Sequence, residues 1–215
     1  MKKIIALLLV LTLAMGLVAC SVNVNTPETT TEATTGATVD TPMDPDEGDI
    51  DIPLDDIAPA ATNGASAVLS NIWSKVPEEN KFFAMGGDMN NMVNNDAGVY
   101  SLEDEGLTST LLIPADQIAN VDEAASLVHA MMLNNFTAGM FHVTGDAAAF
   151  AEAMHTAITT NQWMCGMPEK LIIAIIDGEY VLACFGINDA INPFETALTA
   201  AYANAEVKYN EAITG

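Results

Sequence analysis

The sequence predicts an α+β domain: a small, mostly antiparallel sheet with helices packed mainly on one face. Three observations carry that expectation. From about residue 136 the apolar pattern runs strand, helix, strand, strand, helix. Asp177-Gly178 lies between two apolar runs, a strong hairpin signal because type I′ turns need positive φ at both central residues. Between Ala147 and Ile158 the apolar residues keep helical rather than alternating spacing.

Taken in order, Ala65, Val68, Leu69, Ile72 and Val76 hold helical spacing with Trp73 beside the stripe, and Pro77 stops the helix. Lys81 to Met85 reads as a short strand ending at Gly86-Gly87, and the Asn-, Asp- and Gly-rich chain to Ser109 reads as loop. Thr110 to Ile113, closed by Pro114, reads as an edge strand. Ala124, Leu127, Val128 and Met131 mark a helix face, and Phe136 to Val143 a strand. Asp146 then caps a helix with the stripe Ala147, Phe150, Ala151, Met154 and Ile158. Leu171–Ile176 and Tyr180–Phe185 form the hairpin arms, apolar at every position and therefore central and covered. Asn192-Pro193-x-Glu195 carries a cap, an N1 proline and a capping-box acid, opening a helix with the stripe Phe194, Leu198, Ala201, Tyr202 and Ala205. This order has split β-α-β, ferredoxin-like character. The strand at Phe136 is expected antiparallel beside Tyr180–Phe185, and a fourth strand is expected from Lys81–Met85 or Thr110–Ile113.

Upstream of the domain the chain divides into a signal segment, 1–19, and a linker, 20–61, leaving 62–215 as one globular unit. Lys2 and Lys3 precede an apolar run whose 16 residues to Ala19 fall short of the ~20 that a spanning helix needs. Leu17-Val18-Ala19-Cys20 reads as a lipobox, with cleavage before Cys20 and lipidation of its sulfur. An uncleaved anchor and an ordinary secretory signal are the alternatives. Two acyl chains, at ~0.8 kcal/mol per buried CH₂, hold a protein stably on a bilayer. The address expected is the extracytoplasmic face of the cell membrane. Residues 21–61 carry eight Thr, five Pro, ten acids and no base, so burial cannot offset their ordering entropy. A flexible chain of this length spans about 35 Å. Asp44 to Asp51 is acidic but fails the EF-hand pattern, because Gly48 falls one position early and no bidentate Glu closes the loop.

Charge excludes several partners. Against 29 acidic residues stand six lysines and no arginine, a net charge of −23. Such a surface repels nucleic-acid phosphates and anionic headgroups beyond the anchor itself. Bidentate capture of phosphate or carboxylate is closed without arginine. Neutral ligands, cations and protein partners stay open, and no cofactor is expected.

Candidate site residues are few. His129, His142 and His155 recur at spacings of thirteen, never at the i, i+4 spacing that puts two zinc ligands on one helix face. With Asp146 or Glu152 they form a candidate zinc set only if the fold brings them together. Met164-Cys165-Gly166-Met167, with Met85, Met89 and Met92 elsewhere, offers soft sulfur ligands that select Cu(I). Methionine filling an irregular core is the plainer reading. Setting Cys20 aside leaves Cys165 and Cys184, an even number that permits a disulfide outside the cell; Cys184 also reads as a small buried apolar residue. There is no Gly-x-Ser-x-Gly, no Ser-x-x-Lys and no phosphate-cradling glycine pattern, so no enzyme activity is expected.

Several stretches carry a resemblance. They are Ala124–Gly145, with His129-Ala130-Met131 and Phe136–Val143; Gln162-Trp163-Met164-Cys165-Gly166-Met167-Pro168; Ala183-Cys184-Phe185-Gly186; and the lipobox. Together they resemble an uncharacterised family of Gram-positive bacterial lipoproteins, over about Ala65 to Ala205. The resemblance implies an α+β class and an anchored address, and it assigns no catalytic residue. The expectation is therefore a membrane-anchored, non-enzymatic binding or envelope-interaction module, with a zinc- or copper-binding protein as the alternative.

Overall fold

The computed structural model describes residues 63–214. The expectations for the signal segment 1–19, the lipidation site Cys20 and the acidic linker to residue 61 lie outside the described residues. Helix α1 spans Gly64–Ser74. Asn63 opens it with a capping box, its side chain accepting from Ser66 N at 2.7 Å while Ser66 Oγ accepts from Asn63 N at 2.8 Å. The helix buries Ala65, Leu69, Ile72 and Trp73.

Eight strands follow in one sheet: β1 Ala84–Gly86, β2 Val93–Asn94, β3 Gly98–Tyr100, β4 Val121–His129, β5 Phe136–Val143, β6 Lys170–Ile176, β7 Tyr180–Gly186 and β8 Glu206–Ala212. Among them lie the helices α2 Gly106–Ser109, α3 Ala147–Thr159 and α4 Asn188–Ala201. The strand order is β2-β1-β4-β5-β7-β6-β8, with β3 also on β4, and every pairing is antiparallel. This is the α+β class that the pattern predicts. Strand β7 lies between β5 and β6, so those two run parallel and β5-α3-β6 is a split β-α-β unit. The hairpin turns where expected, with Asp177 and Gly178 at φ 52° and 84°. Asp146 caps α3, accepting from Ala148 and Ala149 N–H groups, and the buried stripe is the predicted one.

Besides β2, β3 and α2, which form in the stretch to Ser109 read as loop, four expectations need correction. Helices cover both faces rather than mainly one. Strands β6 and β7 are apolar at nearly every position, and either face left open would expose a row of large side chains. Helices α1 and α4 seal Phe136, Met140, Ile172, Leu182 and Cys184 on one face. Helix α3 and the segment through Leu107 and Ile113 seal Phe141, Ile173, Val181 and Phe185 on the other. Second, Ala124–Met131 is not a helix but mostly strand β4, which fills the place beside β5. Glu123, Ala124, Ala125 and Leu127 favour helix locally, yet pairing with β5 along the strand and burial on both faces override that propensity. Third, Thr110–Ile113 is not a strand; the backbone folds back there, with Ile113 N donating to Leu107 O. Fourth, α4 starts at Asn188, so Pro193 lies inside the helix and Glu169 caps the end by accepting from Asn188 N at 2.8 Å.

Candidate functional site

The fold distributes the three histidines rather than gathering them. His129 ends β4 and stacks on Phe82 with ring centroids 5.0 Å apart, and its Nδ1 accepts from the backbone N–H groups of Met131 and Met132. His142, on β5, meets Asp122 through Nδ1 and lies 3.5 Å from Glu179 through Nε2. The Asp122 hydrogen bond raises its pKa above the ordinary imidazole value, against a smaller opposing effect of burial. His155, on α3, stacks on Tyr209 at 3.9 Å and bonds Glu211 at 2.7 Å. Its neighbours Asp146 and Glu152 play no part in those contacts. Among the described residues no three His, Cys, Asp or Glu side chains form a group able to hold a metal ion. The proposed histidine zinc set is therefore not assembled, because β4, β5 and α3 carry its members to separate surroundings.

Cys165 and Cys184 are both free thiols. Cys184 is sealed within the layer beneath α1 and α4, where burial pushes its thiol pKa well up. Cys165 is exposed on the loop between α3 and β6. The disulfide that the even pair permits is not formed, and Cys184 is the small buried apolar residue of the other reading.

What the fold does gather is sulfur. Of the nine methionines between residues 63 and 214, Met140 and Met154 fill the core. Met85, Met89, Met92, Met131, Met132 and Met164 instead line three hollows around the β4–β5 turn. The first, about 260 Å³, is bounded by Thr110, Leu112, Asn134, Trp163, Met164 and Phe185. The second, about 230 Å³, is lined by Met131, Met132, Leu133, Asn134, Met164 and Cys165. The third, about 290 Å³, holds Met85, Met89, Met92, Tyr100 and Val128. Leu133 borders all three, so the hollows are grouped around that one side chain as a segmented groove.

The groove is built on pinned loops. Asn134 Nδ2 donates to Met164 O at 2.8 Å and Gly166 O at 2.6 Å, holding the backbone on both sides of Cys165. Cys165 itself takes a left-handed φ of 62°. Gly186 lies so close to the Leu133–Asn135 turn that a Cβ would fall 2.3 Å from Asn135 O, and only glycine permits that approach. The far wall is held by Asp88, a buried carboxylate that accepts from Asn90 N, Asn91 N, Asn91 Nδ2 and Ser101 N. Burial pushes its pKa up, but these hydrogen bonds outweigh burial and hold it below the ordinary carboxylate range. Trp163 packs at a tilt against Phe185, ring centroids 5.0 Å apart, and its buried indole N–H meets no acceptor among the described residues.

Sequence reasoning singled out Met164 and Cys165 but missed Met131, Met132, Leu133 and Asn134 as their partners. The available signal was a run of three large apolar residues directly before Asn134-Asn135, where a turn leaves them no core to enter. Most of the large apolar side chains exposed on the described chain line these hollows: Met89, Met92, Met131, Met132, Leu133 and Met164. No helix among the described residues is long and apolar enough to cross a membrane. Comparison with protein-family models, with curated proteins and with solved structures finds no match to this chain.

Proposed function

We propose that this chain is a non-enzymatic, lipid-anchored extracytoplasmic binding protein whose ligand end is the methionine-lined groove around Leu133. One observation supports it above the others: exposed apolar side chains concentrate at one corner of a protein whose net charge is −23. Contiguous apolar patches of this kind mark binding sites, and methionine suits adaptable ones because its side chain is flexible and polarizable. The acidic surroundings favour neutral or cationic ligands. The lipobox and the acidic segment before residue 62 supply the anchor and the spacer of this reading.

Two experiments test it. Full-length chain should fractionate with membranes and incorporate a labelled fatty acid, and Cys20→Ser should abolish both. Purified full-length chain should bind the neutral apolar dye Nile red, and Leu133→Asp, a change at a half-exposed side chain, should remove that binding while leaving the circular dichroism spectrum intact. Dye binding unaffected by Leu133→Asp would sink the groove as the ligand end.

A further inference from the structure

We infer that the hollow lined by Met131, Met132, Met164 and Cys165 is a Cu(I) site. The inference rests on the groove being the ligand end, and it names the ligand class for one of its three parts.

Four sulfur-bearing side chains from two separate segments line a single space of about 230 Å³. Met131 and Met132 come from the β4–β5 turn, Met164 and Cys165 from the loop after α3. Three thioethers and a thiol make a soft donor set, and soft sulfur ligands select Cu(I) over zinc, calcium or magnesium. Leu133 supplies only hydrocarbon to the wall. Asn134, the remaining lining residue, spends its amide N–H groups on Met164 O and Gly166 O.

Both segments are held in place before any ligand arrives. His129 Nδ1 accepts from Met131 N at 3.2 Å and Met132 N at 3.3 Å, which orders the turn. With Nδ1 accepting those two N–H groups, the imidazole serves the turn rather than the hollow. Asn134 ties the second segment to the first across 30 residues of sequence. Preorganisation of this kind lowers the ordering cost of closing a site on a small ion. The site is also accessible, with Met131 and Met164 both more than three-quarters exposed.

The chemistry of loading balances simply. Cu(I) displaces the proton of the Cys165 thiol, forms a copper–thiolate bond, and gains thioether sulfurs as neutral donors; one proton leaves for each ion bound and no electron moves. Affinity therefore rises with pH.

The test uses full-length chain carrying Cys20→Ala, so that Cys165 is the accessible thiol while Cys184 stays sealed. Cu(I), supplied anaerobically as its bicinchoninate complex, should transfer to the protein at one ion per chain with release of one proton. X-ray absorption of the loaded protein should show a sulfur-only first shell. Cys165→Ser, and separately Met131→Leu with Met164→Leu, should each weaken binding at least about tenfold. Met89→Leu with Met92→Leu, on the other side of Leu133, should leave it unchanged. The leucine pair keeps side-chain volume, so it reports on ligation even if the serine variant folds poorly. No transfer of copper, or transfer indifferent to both sets of substitutions, overturns the inference. If Nile red still binds in the groove while copper does not, the copper site alone fails. If neither binds, the groove fails with it.

Discussion

The two ends of strand β5 are built from opposite chemistry. At the Val143 end, polar side chains are numerous and many are paired. His142 lies between Asp122 and Glu179, and Glu123 accepts from Ala65 N at 3.0 Å, placing a carboxylate at the start of α1. Asp177 accepts from Asn204, and Tyr180 stands beside His142. At the Phe136 end, His129 and Asn134 hold the backbone of the turn, and the other groups lining the hollow beside it are thioethers, a thiol and a leucine. An acidic, histidine-bearing cluster looks the more chemical of the two on paper. Yet His142, Asp122, Glu123 and Asp177 already have partners that tie β4, β5, α1 and the hairpin in place. The sulfur end is where side chains remain free to meet a ligand.

The sharpest way to break this comparison is to move the same substitution between locations. Met154→Ala, fully buried against the α3 face of the sheet, should cost about 2–5 kcal/mol in urea denaturation. Met131→Ala should stay within about 0.5 kcal/mol. A large loss at Met131 would mean that the turn methionines are core, and the groove would lose its standing.

Asp88→Ala should cost about 3 kcal/mol, because four donors lose one buried acceptor, and dye binding at the Met89 side should fall with it. The folded-state pKa of Asp88 is lowered, so its stabilisation is present at neutral pH and is lost as pH falls through that lowered value. Comparing the acid limbs of wild type and Asp88→Asn in a pH series of urea midpoints checks the sign.

Gly186→Ala pushes a Cβ against the carbonyl of Asn135 and should cost about 1–3 kcal/mol. Because Asn135 closes the turn that carries Leu133, this variant should also weaken dye binding. A stable variant with wild-type binding would show that the turn is softer than the packing implies.

The smallest effect belongs to the polar end. The His142 pKa is raised in the folded state, chiefly by Asp122, so the pair's contribution is complete below the ordinary histidine value. It is lost as pH rises through the raised value. Stability should fall slightly over that window, and His142→Gln or Asp122→Asn should flatten the slope. Nuclear magnetic resonance titration of the imidazole measures the pKa directly, and a value at or below the ordinary one would contradict the pairing.

Helix α3, helix α1, strand β5 and the β6–β7 hairpin are legible in the sequence because each carries its own local signal: a cap, a 3.6-residue stripe, a short apolar run or an Asp-Gly turn. The split β-α-β unit follows from their order. Strand β4 is not legible, since an acidic, alanine-rich segment has no local reason to be extended; its partner β5 supplies the reason. Strand β8 escapes for the opposite cause. It is a mostly exposed edge whose side chains show little apolar alternation, and it exists through its pairing with β6. The candidate site shares that character. Met164 and Cys165 stand out in the sequence, but the residues that complete the hollow lie about 30 positions earlier, on a turn formed because β4 pairs with β5.

Composition and order by themselves determined the class of this protein, its acidity, its hairpin and the striped helices α1 and α3, because these depend on neighbours within a few residues. Only the tertiary structure decided that helices cover both faces of the sheet, that the histidines stay apart and that the methionines meet. Those outcomes depend on which strands pair, and long-range pairing is set by burial summed over the whole sheet rather than by any segment of it.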